Sequence, residues 1–62
     1  MTFEDLYNLY LNKNVNVSAF IHGEMHQGTL SSLLPEFKDF EITKMDCYAV
    51  GESVVVAIIL NG

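Results

Sequence analysis

The clearest pattern in the chain is an alternation of apolar and polar residues that opens the stretch Val15 to Leu30, V-N-V-S-A-F-I-H-G-E-M-H-Q-G-T-L. Val15, Val17, Ala19 and Ile21 fall on one side and Asn16, Ser18, Phe20 and His22 on the other, as in a half-buried strand. Gly23-Glu24 offers a tight turn, because glycine accepts positive φ without a steric penalty. The chain then runs back through Met25 and Gln27 to Gly28, read as a bend or bulge. This hairpin is the expected spine of the fold.

Before it, the spacing predicts a helix over about residues 2–12. Thr2 is the N-cap, Asp5 three residues on imitates a capping box, and Glu4 and Asp5 complement the positive end of the helix dipole. Phe3, Leu6, Tyr7 and Tyr10 gather within about 100° of arc, so the tyrosines read as core-packing residues with wet hydroxyls. After the turn, the second strand is expected over 25–34, where Pro35 stops it. Residues 37–45 and 47–50 read as third and fourth strands, Gly51-Glu52-Ser53 as a turn, and 53–60 as a β-branched fifth strand. The expected architecture is mostly β: one domain over residues 1–62, with an N-terminal helix followed by a five-stranded, strongly bent SH3-like barrel.

Within the last strand, Val54 to Leu60 has no polar alternation, so both of its faces are apolar. A small barrel buries only one face of a strand, and a subunit interface accounts for the other most economically. The expectation is a homo-oligomer with Val54, Val56, Ile58, Leu60 and Tyr48 at the contact. A chain of 62 residues is near the lower limit for folding without disulfide or metal, which adds weight to association.

Composition narrows the chemistry. Eight acidic residues stand against three lysines, with no arginine, for a net charge of −5. Lys13, Lys38 and Lys44 are scattered, so the clustered cations that grip a phosphate backbone are missing. The opening M-T-F-E-D lacks the features of a signal peptide, and the longest apolar run is too short to span a bilayer as a helix, so a soluble, cytoplasmic protein with no membrane partner is expected. The single Cys47 fits a reducing compartment. Its neighbours supply no activating base, and it reads as a small core residue. His22 and His26 flank the turn but make an incomplete zinc set even with Glu24, and Gly28 is followed by Thr29 where a phosphate loop needs lysine. No enzyme, metal or cofactor is expected.

Helix, then five short strands with a G-x4-G in the second hairpin arm, resembles the Sm-like (Hfq-like) family. Val15, Val17, Gly23, Gly28 and Leu30 fit the first motif of that family, and Val50-Gly51-Glu52-Ser53-Val54 is similar to the second. The resemblance implies a ring-forming barrel that binds RNA. Its uridine pocket does not carry over: Leu33-Leu34-Pro35-Glu36-Phe37-Lys38 lacks the Asp-x-x-x-Asn loop, and Val50 stands where the family has arginine. On the opposite face, Phe20 occupies the place of a base-stacking tyrosine and Gln27 matches a base-contacting glutamine. Phe20, Gln27 and the adjacent Met25 are therefore the RNA-contact candidates. The alternative is a small acidic inhibitor or regulator that mimics nucleic acid and meets a basic protein surface through Glu36, Asp39, Glu41, Asp46 and Glu52.

Overall fold

The computed structural model describes residues 1–61. Helix α1 (Phe3–Leu9) starts as its sequence predicts. Thr2 Oγ1 accepts from the Asp5 amide at 3.3 Å, and Asp5 Oδ2 accepts from the Thr2 amide at 3.0 Å, closing the capping box. Hydrogen bonding from the Thr2 amide foremost, and then from the Thr2 hydroxyl, holds the Asp5 carboxyl below its ordinary range. The helix is shorter than expected. Lys13 folds its ammonium back to the carbonyls of Tyr7 and Tyr10, with Nζ 4.2 Å from the centre of the Tyr7 ring. Free C-terminal carbonyls need such donors, and Lys13 ends the helix by supplying them.

Strands β1 (Asn16–Ile21) and β2 (Glu24–Thr29) form the expected hairpin, with Ile21 opposite Glu24. The loop is His22-Gly23, at φ of 52° and 81°, one residue earlier than the expected Gly23-Glu24. Two consecutive positive φ values give the type I′ geometry that matches strand twist.

The chain then departs from the expected barrel. Residues assigned to the second strand's end and the third strand's start form helix α2 (Leu30–Phe37). Thr29 caps it: Thr29 Oγ1 accepts from the Ser32 amide at 3.1 Å and Ser32 Oγ accepts from the Thr29 amide at 2.8 Å. The next free amides, of Leu30 and Ser31, donate to the carbonyls of Val15 and Lys13. Leu30, Leu33 and Phe37 are buried and Leu34 packs beside them, an i, i+3, i+4, i+7 stripe that outweighs Pro35 inside the helix. Residues 41–50, expected as two strands, form one, β3 (Glu41–Val50), with a bulge between Ile42 and Lys44. A two-residue turn, Gly51-Glu52, leads into β4 (Ser53–Asn61).

The sheet has four strands in the order β2-β1-β4-β3. Its central pair, β1 and β4, is parallel, and each edge strand runs antiparallel to its neighbour. This open mixed sheet replaces the five-stranded bent barrel. A parallel pair cannot be joined by a hairpin, and α2 supplies the long crossover that the second hairpin needs to place β4 beside β1.

One face carries the core. Val17, Ala19 and Ile21 from β1 and Val56, Ile58 and Leu60 from β4 pack with Phe3, Leu6, Leu30, Leu33 and Phe37. The ring of Phe37 meets Phe40 and His26 edge-on, at centroid distances of 5.3 and 5.2 Å. Both helices therefore serve one side of the sheet, and no element of the described residues covers the other.

Candidate binding face

The strand registers place the positions on the side away from the core in three rows across the sheet. One row reads Met25, Phe20, Ile59 and Lys44 from β2 to β3. The next reads Gln27, Ser18, Ala57 and Asp46, and the third Thr29, Asn16, Val55 and Tyr48. The first row is apolar up to its lysine: Met25 is 53% exposed, Phe20 38% and Ile59 44%. Small Ser18 and Ala57 make the middle row a trough between two ridges. A shallow depression of about 250 Å³ lies between Phe20, Ile59 and Lys44. A more polar one of about 440 Å³ lies over Asn16, Ser18 and Gln27.

The three RNA-contact candidates share this face. Phe20 is directly opposite Met25, and Gln27 is opposite Ser18, one diagonal step from Phe20. Diagonal positions on a sheet lie roughly 7–8 Å apart, within reach of an aromatic ring and a long amide. One of their neighbours, Ile59, comes from β4, which no local pattern in the sequence linked to the first hairpin.

Other candidates are placed elsewhere. Val56, Ile58 and Leu60 are 0%, 1% and 4% exposed and belong to the core. The apolar side of the last strand that held these residues is met by the helices, while its other side, Val55, Ala57 and Ile59, joins the bare face. Val54 and Tyr48 are surface residues, 48% and 50% exposed. The carboxylates do not converge. Glu36 and Asp39 lie at the end of α2 and just beyond, Glu41 begins β3, Asp46 sits mid-strand and Glu52 lies in the far turn. At the rise of an extended chain, Glu41 and Glu52 are roughly 30 Å apart. Glu41 Oε1 is also held by the Met1 amino group at 3.0 Å.

His22 lies in the turn, whereas His26 packs against Phe37 with its Nε2 3.9 Å from Glu24 Oε2. No three metal-capable side chains cluster among the described residues. Cys47 is exposed, which corrects its reading as a core residue: β3 extends past the helices, so its helix-side positions stay wet. Its Sγ lies 3.8 Å from the Tyr10 hydroxyl. That contact, with partial burial, raises the pKa of the Tyr10 phenol above its ordinary value.

No helix among the described residues is long and apolar enough to cross a membrane. No protein-family model, curated protein or solved structure matches the chain. The Sm-like resemblance thus rests on its short motifs alone.

Proposed function

We propose that this chain is a non-enzymatic interaction module whose binding surface is the bare face of its sheet. The observation that carries the proposal is the row of Met25, Phe20 and Ile59, left uncovered beside the Ser18–Ala57 trough while both helices pack on the other side. Apolar side chains in a contiguous row with polar edges are the usual mark of a recognition surface.

The ligand that best fits this chemistry is a short single-stranded RNA segment. A four-stranded sheet with an exposed aromatic ring stacks unpaired bases, and a nearby amide hydrogen-bonds their edges. Phe20 is the platform, Met25 flanks it and Gln27 supplies the amide. Lys44 is the one basic residue in the three rows, and Asp46 is beside it, so backbone phosphates add little. A cytoplasmic setting suits such a ligand and the single free thiol. A protein partner is the second reading, favoured by the net charge of −5. A basic surface would be drawn to this chain over long range.

Fluorescence anisotropy with labelled A-rich and U-rich oligonucleotides separates the two. The RNA reading predicts saturable binding that is weakened at least tenfold by Phe20→Ala. Because few phosphates are neutralised, affinity should fall only slightly as salt is raised, unlike that of a basic RNA binder. No binding to either oligonucleotide at high micromolar concentration would remove RNA as the ligand.

A further inference from the structure

We infer that two copies of this chain pair through the outer edge of β3, antiparallel about a two-fold axis, with Cys47 opposite Cys47. The bare face is not the contact, so this dimer is independent of the ligand proposed above.

The edge itself is the first observation. β4 takes the inner side of β3, and Met1 to Phe3 strap the start of the outer side. The Ile42 amide donates to the Met1 carbonyl at 2.7 Å, and the Phe3 amide donates to the Phe40 carbonyl at 2.9 Å. From Thr43 to Val50 the outer edge has no main-chain partner among the described residues. Free edges are normally blunted by proline, by short length, by a bulge in mid-strand or by charged side chains, of which β3 carries Lys44 and Asp46 beyond the strap. This one has no proline or glycine, and its bulge lies at the strapped end. The other edge strand, β2, is shorter, contains Gly28 and turns directly into α2.

Symmetry and charge then select the register. An antiparallel pair related by a two-fold axis through the sheet sets one residue opposite its own copy and keeps both bare faces on the same side. Centring on Lys44 or Asp46 puts like charges face to face, which is unfavourable. Centring on Met45 drives Tyr48 to Val50 of the second copy into the Met1–Thr2 strap. Centring on Tyr48 leaves only the segment Asp46 to Val50 paired. Centring on Cys47 pairs the whole segment Lys44 to Val50 and ends where the strap begins. No like charges are then directly opposite. Asp46 faces Tyr48 of the other copy and lies diagonal to that copy's Asp46, Lys44 faces Val50, and Glu52 in the turn comes diagonal to Lys44, twice by symmetry. The product is a continuous eight-stranded sheet with one doubled bare face. Main-chain pairing of this kind is an established route of strand-mediated recognition.

Three measurements on the full chain test the dimer. Sedimentation velocity under reducing conditions should give twice the 7.0 kDa chain mass at tens of micromolar. Opposed residues in an antiparallel pair have Cα atoms about 4.5–5.5 Å apart, inside the roughly 4.4–6.8 Å range of a disulfide. Diamide, which takes two hydrogens from two thiols, should therefore convert the native protein to a covalent dimer that dithiothreitol reverses. Cys47→Asp, at an exposed position, should weaken association at least tenfold while the circular dichroism spectrum is kept. A monomer at 100 micromolar overturns the inference, even if oligonucleotides bind the face. A dimer that diamide does not cross-link, or that Cys47→Asp leaves intact, overturns the edge and its register.

Discussion

Ile58→Ala is expected to leave a large fraction of the chain unfolded at 25 °C. Ile58 is 1% exposed in the central strand, opposite Ala19 on β1 and Met45 on β3, beneath both helices. Truncating such a residue costs about 2–5 kcal/mol, because the transfer free energy is lost and a cavity remains. A core in a chain this short supplies only about 3–5 kcal/mol in net terms. The neighbouring substitution is the control. Ile59 is 44% exposed on the bare face, so Ile59→Ala should cost less than about 1 kcal/mol. Urea unfolding followed by circular dichroism measures both. If Ile59→Ala proves the more damaging, the two sides of β4 are assigned the wrong way round.

Gly28→Ala is expected to be strongly destabilising, because a methyl group there meets α2. A Cβ at Gly28 would lie 2.5 Å from Ser32 Oγ and 3.3 Å from the Leu33 side chain, because α2 turns back over the strand it leaves. Ser32 cannot move freely, since its hydroxyl accepts from the Thr29 amide at 2.8 Å and donates to the Thr29 carbonyl at 3.1 Å. Forcing a methyl group into so close a contact costs about 1–3 kcal/mol, and displacing Ser32 also opens the cap. Ser32→Ala alone should lose about 1 kcal/mol, the usual net value of a hydrogen bond. In Gly28→Ala/Ser32→Ala the methyl group no longer meets the hydroxyl. The double variant should therefore be more stable than the sum of the singles by at least about 0.5 kcal/mol, the level at which coupling is resolved. Strict additivity would mean that α2 does not lie against Gly28.

The features that the sequence specifies locally are the ones it declared. Thr2 and Asp5 announced the first cap, the alternation around Val17 and Ile21 announced β1, and the β-branched run announced β4. Gly28 was noticed as a break in the strand; what it accommodates is the close approach of α2. Residues 30–34 pass for a continuation of the hairpin because the first clear strand breaker after Gly28 is Pro35. Leu30, Leu33, Leu34 and Phe37 repeat at helical spacing, and Thr29 with Ser32 forms a serine version of the capping box usually sought with glutamate or glutamine. With that segment counted as strand, a barrel followed.

β3 reads as two strands because the bulge between Ile42 and Lys44 shifts the apolar parity, from Phe40 and Ile42 to Met45, Cys47 and Ala49. The strand extends past both helices, so its positions there are wet on both sides. The binding face was legible only within the first hairpin. Phe20, Met25 and Gln27 share parity on two adjacent strands, but the parallel register that brings Ile59 beside Phe20 joins strands far apart in the chain.

The central claim is that β1 and β4 pair in parallel at the middle of an open sheet whose helices cover one side. Backbone NMR of the isotope-labelled protein tests it most directly. The structure predicts a parallel pattern of cross-strand contacts joining Val17 to Val56 and Ala19 to Ile58, with helical chemical shifts from Leu30 to Phe37. An antiparallel pattern between β1 and β4, with extended shifts through residues 30–34, would restore the closed barrel and contradict the account.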